Sequence, residues 1–204
     1  HNLAHDPDYK EIIEELKEKM YALQAEYQDT DHQQFLPLSA DTVSHLAVDR
    51  PYKLEYKPSR GNSANFNTLT DGIAYPEGDA YNISLENWCG FRDVDLEIEL
   101  DLGQVCNISS IKLGFLQDQA RWIFLPVNVE FLTSVNGVDY MNITNNLCQG
   151  LEKDEQILKV FARANYSSLK TQFVKIKAKN NILPEWHPGA GKGAWLFVDE
   201  VIVN

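Results

Sequence analysis

The hydrophobic period of this chain changes once along its length, and that change decides what it can build. Tyr9, Ile12, Ile13, Leu16, Met20, Leu23 and Tyr27 recur at three- and four-residue steps, the spacing of one face of an α-helix. Asp6-Pro7 supplies an N-cap carboxylate and a proline at the first helical position, so a helix is predicted over residues 7–27. From Tyr52 onward the period is two. Tyr52-Lys53-Leu54-Glu55-Tyr56 and residues 94–102 alternate apolar and polar side chains, as a half-buried strand does. Residues 108–115, 127–133, 157–164, 173–178 and 195–203 read the same way, and Asn136-Gly137 marks a hairpin. Successive short strands without helical patterns between them predict an all-β antiparallel sandwich or jelly roll preceded by one N-terminal amphipathic α-helix. The expected organisation is a helix and connector at 1–36 and a β-sandwich at 37–204.

Charge narrows the partners. The 204 residues carry a formal net charge of −12, and about half of it falls within residues 6–31. An acidic chain without a basic stripe argues against nucleic acid as a partner, and against docking on an anionic membrane. No apolar run approaches the ~20 residues of a membrane span. The chain opens His1-Asn2-Leu3-Ala4 without an initiating Met, which reads as a piece of a longer protein. Cys89, Cys106 and Cys148 match no metal or redox spacing. Two readings stand for them: buried free thiols, or one disulfide with a thiol left over.

Enzyme signatures fail one by one. Pro58-Ser59-Arg60 matches the end of the sulfatase pattern C-x-P-S-R, but Tyr56 occupies the position of the cysteine, so the match reads as coincidence in a loop. Asp199-Glu200 is a carboxylate pair within a predicted strand, where neighbouring side chains point to opposite faces and cannot flank one glycosidic bond. No G-x-S-x-G or H-E-x-x-H occurs. The chain is expected to be non-catalytic by itself.

Two long motifs carry a family resemblance: Gly114-Phe-Leu-Gln-Asp-Gln-Ala-Arg-Trp-Ile-Phe-Leu-Pro, and Leu183-Pro-Glu-Trp-His-Pro-Gly-Ala-Gly-Lys-Gly-Ala-Trp-Leu-Phe-Val-Asp-Glu-Val. With Leu69-Thr-Asp-Gly-Ile and Trp88-Cys-Gly-Phe, they resemble a coagulation factor V/VIII type C (discoidin-like) domain. The form they most resemble is the C-terminal domain of bacterial family 20 hexosaminidases (chitobiases), related to family 32 carbohydrate-binding modules. The helical segment is similar to the C-terminal tail of secreted bacterial sulfatases. The resemblance implies a galactose-binding-like jelly roll and a secreted, periplasmic or cell-surface location. The implied role is a carbohydrate-binding module appended to a catalytic domain, either hexosaminidase or sulfatase. The competing expectation is a structural spacer or interaction domain without a glycan site.

The residues themselves offer a sugar site. Sugar C–H faces pack on aromatic planes while their hydroxyls require fixed donors and acceptors. Asp118, Arg121 and Trp122 in one loop, and Glu185, Trp186 and His187 in another, combine both, with Trp88 as a further candidate. The expected ligand is a galactose- or N-acetylhexosamine-type glycan. Against each tryptophan stands the alternative of core packing beneath a long loop. The resemblance also implies one structural Ca²⁺ at Asp71 and Glu200, with carbonyls from Leu69 or Thr70 and a further carboxylate from Asp79. Ca²⁺ takes six to eight oxygen ligands, so two carboxylates are an incomplete set, and Asp71-Gly72 read alone is simply a turn.

Overall fold

The computed structural model describes residues 12, 15, 16, 18, 19, 40–60, 68–81, 83–147 and 151–204. The chain divides into two compact units, His1–Leu36 and Pro37–Asn204. In the first unit, Ile12, Glu15, Leu16, Glu18 and Lys19 are helical, and Lys19 Nζ lies 2.6 Å from Glu15 Oε1 one turn earlier. The rest of the helix predicted at 7–27, including its Asp6-Pro7 start, lies outside the described residues.

The second unit is all-β and antiparallel. Its strands are β1 (Asp41–Thr42), β2 (Tyr52–Leu54), β3 (Ile73–Ala74), β4 (Gly78–Asp79), β5 (Cys89–Arg92) and β6 (Leu96–Gln117). After a 3₁₀ turn at Gln119–Arg121 come β7 (Asn128–Ser134), β8 (Met141–Leu147), β9 (Leu158–Lys179) and β10 (Trp195–Val203). β6 and β9 have 22 residues each and pair along their whole length. Straight, such strands would run about 70 Å, whereas a unit of this size is only about 30–40 Å across. The ribbon therefore bends. Its register shifts between Asp101 and Cys106 and again between Ile108 and Ser110. Gly103 takes the corner at φ +84, a conformation that L side chains rarely adopt, and its N–H donates to Asp101 Oδ1 at 2.8 Å. The Thr171 hydroxyl ties the opposite side to the Ser134 carbonyl at 2.9 Å. The strands predicted at 94–102 and 108–115 are thus two halves of one strand, as are those at 157–164 and 173–178.

Each half of the ribbon seeds one layer. The strand order is β5-β10-β6-β9-β7-β8, with β2 on the first half of β6 and β4 on the first half of β9. Leu96, Ile98, Leu100, Val174 and Ile176 from one layer meet Ile111, Leu113, Phe115, Leu196 and Val198 from the other in a single core. Burying each of these side chains contributes about 1.5–3 kcal/mol. Asn136-Gly137 does close a hairpin between β7 and β8, through a six-residue loop in which Asn136 Oδ1 accepts from the N–H groups of Val138 and Asp139.

The outer faces of the layers differ. On the first, Lys175 pairs with Glu99 at 3.1 Å and Lys177 with Glu97 at 3.1 Å, a solvated charge ladder. The second carries an apolar cluster, with Leu116, Phe197 and Trp195 covered by Tyr75, Ala80, Ile83 and Trp88 in a second core. Trp195, Phe197 and Val201 would fit one inward face of β10 if a bulge intervened. The bulge between Val198 and Val201 instead sends Val201 to the inter-layer core and leaves Trp195 and Phe197 outside it.

Candidate functional site

The covering segment runs from β3 to β5 and is fastened to the sheet beneath. β4 pairs with the edge of β9, Ala80 N–H donates to the Ile157 carbonyl at 2.8 Å, and Glu77 pairs with Arg163. Under it lies an ion pair between Lys159 and Asp199, both fully buried. The Lys159 ammonium faces the rings of Phe161 at 4.1 Å and Trp88 at 5.2 Å, contacts that favour a cation. Burial lowers the Lys159 pKa from its ordinary value, and Asp199 opposes that shift.

Beyond this fastening the segment forms one wall of an open groove of about 680 Å³, lined by Ile83, Ser84, Leu85, Glu86 and Asn87 with Arg60 and Arg121. Arg60 is held there by its backbone, which exchanges hydrogen bonds with Gly90 on β5 at 3.1 and 2.7 Å. Arg121 projects from the 3₁₀ turn. Asp118 caps that turn, accepting from Arg121 N–H at 3.2 Å, and its carboxylate also lies 3.0 Å from Arg121 Nε. The groove combines two guanidinium forks, an amide, a hydroxyl and a carboxylate with the apolar side chains of Ile83 and Leu85. That mixture suits a polyhydroxylated ligand with C–H faces.

Sequence-predicted residues fall on both sides of the 3₁₀ turn. Arg121 alone among them lines the groove. Asp118 is buried and serves Arg121 from below, so it orients a groove residue. Trp88 is fully buried and stacks on Tyr75 with centroids 5.6 Å apart. It is a core residue, the alternative weighed above. His187 is also buried; its Nδ1 accepts from Gly189 N–H and its Nε2 meets the Gln119 carbonyl, leaving no nitrogen for a sugar. Trp122 stands edge-on to that imidazole at 5.1 Å. Trp186 is 40% exposed and donates its indole N–H to the Leu151 carbonyl at 2.9 Å, beside an exposed Glu185. Sequence reasoning missed Arg60, Ser84, Glu86 and Asn87. Arg60 lay within the tripeptide set aside as coincidence, and the others are ordinary loop residues until the covering segment folds over.

The residues expected to hold a cation come together in part. Glu200 Oε1 accepts from Gly72 N–H at 2.9 Å and faces His45 Nε2 at 3.0 Å, whereas its buried Oε2 has no hydrogen-bond partner. Burial, aided by the Asp71 and Asp199 charges, pushes the Glu200 pKa up to about 9. Burial also raises Asp71, and lowers His45. An orphaned carboxylate oxygen beside a second carboxylate fits a hard cation. Asp79 is exposed on β4, and among the described residues no group of three His, Cys, Asp or Glu side chains is arranged to hold a metal ion. The carbonyls of Leu69 and Thr70 already accept from Val201 and Asp49 N–H groups. Cys89 and Cys106 are free thiols, and Cys148 lies outside the described residues.

No protein-family model and no curated protein matches the chain. Among solved structures it is similar to a variant of chitosan-binding module 1 from a chitosanase/glucanase of Paenibacillus sp. IK-5. The identity is 10%, over 78% of this chain and 96% of that one, with a TM-score of 0.50. It is also similar to a GH29 fucosidase of Ruminococcus gnavus in complex with fucose, at 12% identity and a TM-score of 0.52. That match covers 78% of this chain and 26% of the fucosidase chain. At such identities the likeness shows the fold, and the chain shares the β-sandwich of these proteins.

Proposed function

We propose that residues 37–204 form a non-catalytic carbohydrate-binding module. The groove between the covering segment and the arginines is the observation that carries this reading. Its volume suits a mono- to trisaccharide, and Arg60, Arg121, Asn87 and Ser84 offer donors and acceptors in fixed positions. Among the described residues that line it, Glu86 is the one carboxylate, whereas glycoside hydrolysis uses a pair. The sandwich it shares with a chitosan-binding module supports the same class. The ligand in this reading is a galactose- or N-acetylhexosamine-type sugar on a larger glycan. The module serves a secreted hexosaminidase or sulfatase whose catalytic domain is covalently attached, and Ca²⁺ at Asp71 and Glu200 stabilises the loops.

Affinity should be weak, because an open groove buries little of a sugar. Isothermal titration with galactose, N-acetylgalactosamine and N-acetylglucosamine tests the reading. Binding by the wild type, lost in Arg121→Ala and in Asn87→Ala, is expected. A glycan array without a single hit would sink it in favour of a spacer domain.

A further inference from the structure

The groove wall at Ile83–Asn87 belongs to no strand, yet every groove contact proposed for Ser84, Glu86 and Asn87 depends on where that wall stands. One residue joins it to the rigid sheet. Tyr75 N–H donates to Asp199 Oδ2 at 3.1 Å, and the Tyr75 carbonyl accepts from Lys159 Nζ at 3.3 Å. Both backbone groups are therefore clamped by the buried ion pair. From that fixed root the side chain reaches outward. Its hydroxyl donates to the Ser84 carbonyl at 3.2 Å. Its ring lies against Trp88 at a 21° interplanar angle, next in sequence to Asn87.

We infer that Tyr75 is a positioning residue of the groove: rooted on the Lys159–Asp199 pair, it fixes the Ser84–Asn87 wall through its phenol without meeting the ligand. The inference rests on the glycan-binding reading above and deepens it. A loop without strand partners pays its ordering entropy when a ligand binds, unless the fold has already ordered it. Tyr75 is only 3% exposed, so it acts on the wall from inside, and its hydroxyl is where a buried network meets a solvent-facing surface. Ser84, Glu86 and Asn87 hold their places because the core holds Tyr75.

Tyr75→Phe removes the hydroxyl while keeping the ring, its stack and its burial. Two readouts separate positioning from general stability in the whole chain. Amide hydrogen exchange at residues 84–87 should accelerate about tenfold, with exchange in β6, β9 and β10 unchanged. The dissociation constant for the best-binding sugar of the titration above should rise about two- to tenfold, the range one lost hydrogen bond supports. Arg121→Ala serves as the contrast, losing affinity with exchange at 84–87 unaltered. Wild-type exchange at 84–87 in Tyr75→Phe, or unchanged affinity in a protein that binds sugar, would overturn this inference alone. A wild-type protein that binds no sugar would overturn the glycan reading, and the groove role of Tyr75 with it.

Discussion

Lys159 on β9 and Asp199 on β10 meet across the intervening strand β6 because position 114 between them is glycine. A Cβ at Gly114 would overlap both the lysine ammonium and the aspartate carboxylate. The pair is fully buried, and such a pair persists only where geometry and further hydrogen bonds offset desolvation. Here the Asp199 carboxylate also accepts from Tyr75 N–H and from Glu200 N–H. The glycine, the ion pair and Tyr75 form one continuous column beneath the groove wall.

Gly114→Ala should therefore be far more costly than a helix- or strand-propensity change. Lys159 and Asp199 are both fully buried, so a loss of about 2–4 kcal/mol is expected from overpacking combined with disturbance of the pair. Urea denaturation monitored by tryptophan fluorescence measures it. A loss below about 0.5 kcal/mol would show that the pair adjusts freely.

Removing one partner strands the other. Lys159→Met should cost about 3–5 kcal/mol, as breaking a buried pair does. Adding Asp199→Leu should cost less than the sum of the two single changes, because the orphaned charge disappears with it. A double-mutant cycle by denaturation reads the coupling. Strict additivity would mean that the two groups do not interact.

Glu200 gives the metal-free protein a pH dependence of definite sign. Its folded pKa, about 9, lies above the ordinary carboxylate value of 4.5, so the folded state holds a proton that the unfolded state releases. The associated stability is fully present below pH 4.5 and is lost as pH rises through about 9. In the presence of EGTA, thermal stability should fall between pH 5 and pH 9, and Glu200→Gln should flatten that slope. An equally steep slope in Glu200→Gln would assign it to another group.

Calcium should reverse that trend, since a cation at Asp71 and Glu200 competes with the proton. The rise in melting temperature on adding calcium should be larger at pH 8 than at pH 6. It should vanish in Glu200→Gln. A melting temperature indifferent to calcium and EGTA at both pH values would remove the cation from the account.

Much of the architecture was legible because it rests on local pattern. Period-two alternation marked the first half of β6, where buried and half-buried residues alternate, since a strand with one buried face has to alternate; Trp195–Val203 was read the same way but is buried on both faces. The fusion of those halves was not legible. Residues 103–107 look like a loop, and only pairing across the ribbon reveals them as a bend. At the site, the loop tryptophans were read as sugar platforms, yet Trp88 is core. Aromatic rings beside loops serve either role, and burial decides between them. Arg60 gave no local signal, because what places it in the groove is an exchange of hydrogen bonds with Gly90, thirty residues away in sequence.

By itself the sequence determined the all-β character of residues 37–204, through hydrophobic period and turn chemistry, both of which act over a few residues. Tertiary structure alone decided that the outer face of one layer is covered. It also decided that Lys159 and Asp199 meet over Gly114, and that the cover ends in a groove wall held by Tyr75. Those contacts join positions 40 to more than 80 residues apart, and only the bend and bulge of the folded sheets bring them within hydrogen-bond reach.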